Sequence, residues 1–176
     1  MITNGLAVLL GAVILAVYLM YALIRKRPVK RIIVTCIFIV YLVSVATITL
    51  FPIVYDDITE YTNGIKWYNF IPFKTIVSAI QSGITVTTIA QIIGNIVLSI
   101  PFGIMTLMLT KLTHCWQKLL IALSFPIAIE LSQLLIGFAI GNMYRNIDID
   151  DIILNLSGVY IGYGIYAILP KRIKQL

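Results

Sequence analysis

The stretch RNIDIDDIILNLSGVYIGYGIYAIL, residues 145–169, begins with charged and amide side chains and continues as an apolar run. The apolar part, residues 152–169, approaches the ~20 residues that a helix needs to cross the hydrocarbon core of a membrane. If the polar part is also helical, steps of three, three and four place four side chains on one face. These are Arg145, Asp148, Asp151 and Asn155. Because polar groups facing lipid are costly, this face is expected to turn inward and to serve a function.

Four further apolar runs precede this one, at about residues 6–24, 32–51, 89–110 and 119–140. The mean hydropathy is +1.01, and only 11% of the residues are charged. The runs lack the alternation of barrel strands, and only helices or closed barrels satisfy the backbone in lipid. The sequence therefore predicts an all-α integral membrane protein, a bundle of five transmembrane helices forming a single domain over residues 1–176.

The distribution of basic residues predicts the orientation of the chain. Segments 25–31, 111–118 and 171–174, which alternate threading puts on one side, hold ten of the 13 Lys and Arg residues. The positive-inside rule then places the N-terminus outside and the C-terminus in the cytoplasm. The formal net charge of +6 is thus a topology signal, and nucleic acid is not expected as a partner because no basic soluble face exists.

The long outer loop between the second and third helices, residues 52–88, is expected to hold structure of its own. Its first part, 52–64, is polar and acidic, and we expect it to be solvated. The aromatic and apolar part, 67–74, is expected to lie on the membrane or to enter the bundle. Residues 75–83 fit a short interfacial helix. An ordinary aromatic anchor at the membrane surface is the alternative.

The third and fourth apolar runs also carry polar residues inside them. Pro101 and Gly103 predict a kink in the third membrane helix, which would turn Asn95 inward. Glu130 lies near the middle of the fourth run. We expect it to pair with another side chain or to be neutral, because burial disfavours the charged form. Gln133 is one helical turn nearer the outer side.

These depths suggest that the polar residues meet in the outer half of the bilayer, with Glu130 below them and Arg145 at the rim. Two pairs of glycines, Gly137/Gly141 and Gly158/Gly162, are predicted to bring the fourth and fifth helices together. One interpretation is a hydrogen-bonded clasp that merely holds the helices, in which Arg145 pairs with Glu130 or Asp148. The other is a site open to the outer leaflet.

Metal and thiol chemistry find little support in the composition. The chain has one histidine, His114, and two cysteines, Cys36 and Cys115, which are expected at different membrane levels. A lone histidine does not make a usual zinc site. Acidic side chains suit Mg²⁺ or Ca²⁺, but three acids alone are not evidence for a metal. No metal and no cofactor is expected.

Four ordered motifs resemble a known family. They are NFIPF at 69–73, Asn95 followed by PFG at 101–103, ELSQ at 130–133, and RxxDxxDxxxNxxG at 145–158. Together they resemble the VanZ-like family of bacterial membrane proteins, which is named after a teicoplanin-resistance protein. Ser99 stands where the family often has an aromatic or bulky residue. The resemblance implies a multi-pass protein of the bacterial cytoplasmic membrane, linked in some members to glycopeptide susceptibility, and it implies no established reaction.

Three functions are compatible with these residues. The first is binding or remodelling of an anionic envelope lipid or lipid-linked wall precursor, because an arginine can hold a phosphate or carboxylate with two hydrogen bonds. The second is an intramembrane enzyme that modifies such a lipid. The third is a proton-coupled lipid carrier, which five helices without an inverted repeat make less favourable unless the chain dimerises. The candidate ligand-binding residues are Arg145, Asn155, Gln133, Asn95 and Asn69, and the candidate catalytic residues are Glu130, Asp148 and Asp151. Membrane lipids are the expected partners, and the oligomeric state is left open.

Overall fold

A computed structural model describes residues 5–53, 68–141, 143, 145–170 and 174. This part of the chain is helical apart from two short strands. The helices are α1 (Gly5–Ile24), α2 (Val29–Leu50), α3 (Lys74–Ser82), α4 (Val86–Leu109), α5 (Cys115–Ile140) and α6 (Ile149–Ile168). The strands are β1 (Tyr68–Asn69) and β2 (Ile147–Asp148).

Five of the six helices are long and apolar enough to cross a membrane, which confirms the predicted fold class. Three of them, α2, α4 and α6, begin three residues before the predicted apolar runs. The reason is local, because polar residues can begin a helix without belonging to its apolar part. Thr85 caps α4 by accepting a 3.2 Å hydrogen bond from the amide of Thr88, and Asp148 caps α6 by accepting one of 2.9 Å from the amide of Asp150. Such side-chain oxygens satisfy amides that have no partner within the helix.

The apolar core lies where α2, α4, α5 and α6 meet. Its buried members include Val45, Phe102, Phe125 and Val159. The rings of Phe102 and Phe125 stack with their centroids 4.3 Å apart. Close ring packing of this kind adds to the energy of simple burial. The core therefore fixes the four helices that surround the polar residues.

Glycines bring α4 and α6 into backbone contact. A Cβ on Gly158 would collide with the carbonyl oxygen of Ile96, and a Cβ on Gly162 would collide with that of Ile100. Gly103 is equally close to the backbone of α6, at Val159. The third and fifth membrane helices therefore approach as closely as small residues allow.

This packing corrects the predicted role of the glycine pairs. Gly158 and Gly162 bring α6 against α4, whereas the glycine spacing alone predicted that they would contact α5. Gly141 has a different task, since it ends α5 in the left-handed region with φ of 70°. A Cβ there would meet nothing within 4 Å. Gly141 is therefore a helix C-cap, where glycine is favoured for its backbone freedom.

Part of the loop between α2 and α4 is folded onto the start of α6. Strand β1 pairs in parallel with β2, in the register Tyr68↔Ile147 and Asn69↔Asp148. Helix α3 confirms the short helix predicted at 75–83. The side chains of Phe70, Ile71 and Phe73 are more than half exposed. The acidic segment 52–64, which was expected to be solvated, falls mainly on residues 54–64, which lie outside the described residues.

Candidate functional site

Contrary to the prediction, the four polar residues at the start of α6 do not share one helix face. Helix α6 begins at Ile149, and Asp148 precedes it with an extended backbone (φ −129°, ψ 123°). Arg145 lies in the connection before β2. Asp151 and Asn155 are the pair that the helix itself positions. The prediction failed because an aspartate that caps a helix and one inside its first turn look alike in the sequence.

Asp148 turns toward the folded part of the long loop. Its Oδ1 accepts a 2.9 Å hydrogen bond from Nδ2 of Asn69. Its Oδ2 accepts a short hydrogen bond from the hydroxyl of Thr75. Asp148 and Asn69 also face each other in the β1–β2 register. These two predicted site residues therefore join the loop to the bundle.

Asp150, which is not among the predicted site residues, completes this connection. It is 1% exposed, and its carboxylate accepts hydrogen bonds from the backbone amides of Phe73 and Thr75. Those amides belong to the beginning of α3, where the helix offers no partner of its own. Asp150 thus caps a distant helix. Its proximity to two other aspartates was the available sequence signal, but helical spacing favoured Asp148 and Asp151.

A second polar group joins α6 to α4. Nδ2 of Asn95 donates a 2.6 Å hydrogen bond to Oδ1 of Asp151, and Nε2 of Gln91 donates one of 3.3 Å to the same oxygen. One turn along, the hydroxyl of Ser99 donates to Oδ1 of Asn155 at 2.6 Å. Asn95 therefore faces the neighbouring helix, which confirms its inward orientation. Pro101 lies inside α4, and the bend at that residue stays a prediction.

A third group of polar residues lies on α5 and in the segment just before β2. It binds backbone groups of neighbouring segments. Glu130 is buried and accepts a 3.3 Å hydrogen bond from the amide of Asp148. Nε2 of Gln133 donates to the carbonyl oxygen of Thr49 at 3.0 Å. Nη2 of Arg145 donates to the carbonyl oxygen of Phe51 at 3.4 Å. Within the described residues, Arg145 thus donates to a backbone carbonyl rather than to Glu130 or Asp148, the partners that the clasp interpretation names.

Between these groups lies a cavity of about 640 Å³. We call it the polar cavity. Six predicted site residues line it, namely Asn95, Glu130, Gln133, Arg145, Asp151 and Asn155. Gln91 and Asn146 add two further amides, while Ile48, Val97, Leu98 and Ile129 provide apolar wall. Asp148 and Asn69 are not part of the lining. The structure therefore divides the predicted site into a cavity and a separate loop attachment.

The lining determines what chemistry the polar cavity offers. Arg145 can donate to an anion, and the amides can donate to or accept from uncharged polar groups. Glu130 and Asp151 can accept hydrogen bonds or exchange protons. Serine, cysteine and histidine are absent from the described lining, so the cavity offers carboxylates rather than one of those nucleophiles. No cluster of three or more metal-ligating acids, histidines or cysteines occurs among the residues that were described.

Comparison with known proteins gives a consistent result. The sequence model of the VanZ/LLP1 family matches residues 38–170, a range that contains every residue of the polar cavity. Protein VanZ of Enterococcus faecium is 25% identical over 135 residues, which cover 77% of this chain and 74% of that protein. No solved structure matches the chain. With five membrane-spanning helices and a match over most of its length, the chain belongs to the VanZ/LLP1 family of membrane proteins.

Proposed function

We propose that this cell-envelope protein uses the polar cavity to bind or remodel an anionic lipid or a lipid-linked wall precursor. Handling of such a molecule would alter access of glycopeptides such as teicoplanin to the envelope. Membership in the VanZ/LLP1 family supports the cell-envelope setting. The identity of the ligand rests on the chemistry of the cavity.

The position of Arg145 in the wall of the polar cavity is the observation that carries the proposal. Its recorded contact among the described residues is a single hydrogen bond of 3.4 Å to a backbone oxygen, which is long for an N–H···O bond. A guanidinium has five N–H donors arranged to grip a phosphate or carboxylate with two parallel bonds. Arg145 lines the cavity and is only partly buried. An anionic headgroup is the ligand that would use this donor capacity.

The amides around Arg145 support a ligand with further polar atoms. Gln91, Asn95, Gln133 and Asn155 surround the cavity with both donors and acceptors. Asn95 and Gln91 direct N–H groups toward Asp151, so the position of that carboxylate is fixed. Ordered amides and carboxylates are suited to hydroxyl and amine groups, as found in glycerol, amino-acid or sugar headgroups.

An enzymatic reaction is the second candidate, and one observation favours it. Glu130 and Asp151 both line the same cavity, and two carboxylates in one site can act as general acid and general base. In such a reaction Glu130 or Asp151 would remove a proton from water or from a polar group of the ligand. The remodelling part of the proposal refers to this chemistry.

Lipid analysis tests the proposal. The protein and its Arg145→Ala variant are purified in the same mild detergent, and the lipids that copurify are identified by mass spectrometry. Arg27→Ala, which changes an exposed arginine in the turn between α1 and α2, is the matched control. We expect an anionic lipid to be depleted from Arg145→Ala alone. Identical lipid profiles for all three proteins would contradict the proposal, and a lipid that accumulates unmodified in cells lacking the protein would favour the enzyme.

A further inference from the structure

A second depression lies between α1 and α2, and it shares a wall with the polar cavity. This depression, which we call the α1–α2 groove, has a volume of about 450 Å³. Its lining consists of Val8, Gly11, Ala12, Leu15, Ile39, Val40, Val43, Ser44, Thr47 and Ile48. Ile48 also lines the polar cavity. The groove and the polar cavity therefore adjoin at Ile48.

The groove presents apolar surface in spite of its two hydroxyl groups. The hydroxyl of Ser44 donates to the carbonyl oxygen of Val40 at 3.0 Å. The hydroxyl of Thr47 donates to that of Val43 at 2.8 Å. Such bonds satisfy the hydroxyl within its own helix. Neither hydroxyl therefore needs a hydrogen bond from a ligand, and the groove suits a hydrocarbon occupant.

Two small residues of α1, Gly11 and Ala12, line the groove. Gly11 lies against the side chain of Val43, and an added Cβ there would be 2.8 Å from its Cγ1. Ala12 forms the adjoining wall and is exposed. From Ile39 to Ile48 the groove follows α2 for ten residues, which span about 14 Å at the helical rise. The α1–α2 groove is thus elongated along the helices and extends away from the polar cavity.

From this arrangement we infer that the α1–α2 groove holds the hydrocarbon chain of the lipid whose headgroup occupies the polar cavity. The inference rests on the proposed function and specifies its ligand class, an amphiphile with an anionic headgroup and a long chain. The shared lining residue Ile48 favours this occupant over a second copy of the protein, because it places the groove next to the cavity that Arg145 lines. Headgroup and chain are then recognised by adjoining surfaces of opposite character.

Two probes separate the contributions of headgroup and chain. Dihexanoyl phosphatidylglycerol is short and soluble, and dioleoyl phosphatidylglycerol reaches along the groove. Binding of each probe to the purified protein is measured by titration in detergent micelles. We expect the wild type to bind the long probe more tightly. Ala12→Phe, which fills the groove, should weaken binding of the long probe about tenfold, the equivalent of roughly two buried methylenes, and leave the short probe unchanged.

Matched variants protect this test from trivial outcomes. Val13→Phe changes the next residue of α1, which does not line the groove, and should alter neither affinity. Ser44→Leu obstructs the groove from α2 and should have the same effect on binding as Ala12→Phe. It replaces Ala12→Phe in the test if Ala12→Phe does not fold. Folding is checked by size-exclusion profile. Arg145→Lys should weaken the binding of both probes, because both carry the phosphate.

Photolabelling locates the chain directly. Phosphatidylglycerol with a diazirine in the middle of its acyl chain is irradiated with the protein, and the labelled peptides are identified by mass spectrometry. We expect labels within residues 8–15 and 39–48, and about tenfold fewer in Ala12→Phe. Equal long-probe binding by Ala12→Phe, Ser44→Leu and the wild type would overturn the inference while leaving headgroup binding intact. Short-probe binding that is insensitive to Arg145→Lys would instead contradict the proposed function, and crosslinking of the groove between two protein copies would overturn the lipid assignment.

Discussion

The carboxylate of Asp150 accepts a 2.9 Å hydrogen bond from the backbone amide of Thr75, a residue 75 positions earlier in the chain. It accepts a second bond from the amide of Phe73. The amides in the first turn of a helix have no intrahelical partner, and the positive end of the helix dipole favours a carboxylate. Asp150 therefore holds α3 at the beginning of α6 together with Asp148, whose carboxylate accepts from the hydroxyl of Thr75.

Replacement of Asp150 by alanine should release α3. The amides of Phe73 and Thr75 would lose a charged partner, and bonds to charged groups contribute about 1.5–3 kcal/mol. We expect faster hydrogen–deuterium exchange over residues 68–82 and a lower midpoint of thermal unfolding. Ser82→Ala, at the other end of the same helix, is the control and should leave exchange at residues 73–75 unchanged. Unaltered exchange in Asp150→Ala would show that α3 is held by other contacts.

The contact of α4 with α6 gives a prediction about stability. In Gly158→Ala the new methyl group would meet the backbone of Ile96, which cannot move aside as a flexible side chain could. Overpacking of this kind costs about 1–3 kcal/mol or more. We expect a clearly lower melting temperature in detergent. Tryptophan fluorescence or size exclusion measures the unfolding.

Gly164 provides the matched control on the same helix. A Cβ there would meet nothing within 4 Å, and alanine is favoured over glycine inside a helix by about 0.5–1 kcal/mol. Gly164→Ala should therefore unfold at the same temperature as the wild type or slightly above it. Equal destabilisation by both substitutions would contradict a specific contact at Gly158.

The sequence predicted the number and approximate bounds of the long helices because hydrophobicity alone determines which segments can cross a membrane. It could not predict which helix Gly158 would contact, because a glycine indicates that a close approach is possible without naming the partner. Asp150 was missed for a related reason. Its partners, the amides of Phe73 and Thr75, are backbone groups of a distant segment and leave no side-chain pattern at α6.

The polar cavity shows a similar division between local and distant information. The depths of Asn95, Gln133 and Asp151 along their helices were sufficient to predict that they would lie near one another. The helix face assigned to Arg145 and Asp148 was wrong, because the start of α6 depends on its cap and on pairing with β1. The depths of polar residues along the chain thus selected six of the residues that line the cavity, whereas the attachment of the loop required the tertiary fold.

The orientation of the chain remains a prediction from its charges. Single cysteines are introduced as Asp57→Cys and Arg27→Cys in a background without Cys36 and Cys115, and intact cells are treated with a membrane-impermeant thiol reagent. The positive-inside rule predicts labelling at position 57 and protection at position 27. Labelling of both positions after cell lysis is the control. The reverse pattern in intact cells would place the polar cavity at the cytoplasmic side and contradict a site for outer-surface ligands.

Asp151→Asn tests whether the carboxylate at the junction of α4 and α6 is needed for function. An asparagine keeps the size of the side chain and can still accept from Asn95, so we expect the protein to fold. It removes the negative charge and the ability to exchange a proton. Retention of the copurifying lipid, or glycopeptide susceptibility of cells, should therefore change at equal amounts of folded protein. Ser157→Ala, at an exposed position of α6, should change neither readout.

Arg145→Lys distinguishes an anion site from a structural role most directly. Lysine keeps the positive charge but lacks the planar fork that grips a phosphate or carboxylate with two bonds. Ligand binding should fall about tenfold or more, the cost of one charge-assisted hydrogen bond, while the melting temperature and size-exclusion profile stay near those of the wild type. The hydrogen bond to Phe51 is long and should contribute little to stability. If Arg145→Lys binds ligand normally but melts earlier, Arg145 mainly holds the end of α2 in place. If Arg145→Lys and Asp151→Asn both retain full function, the polar residues serve as a helix clasp and the binding proposal is wrong.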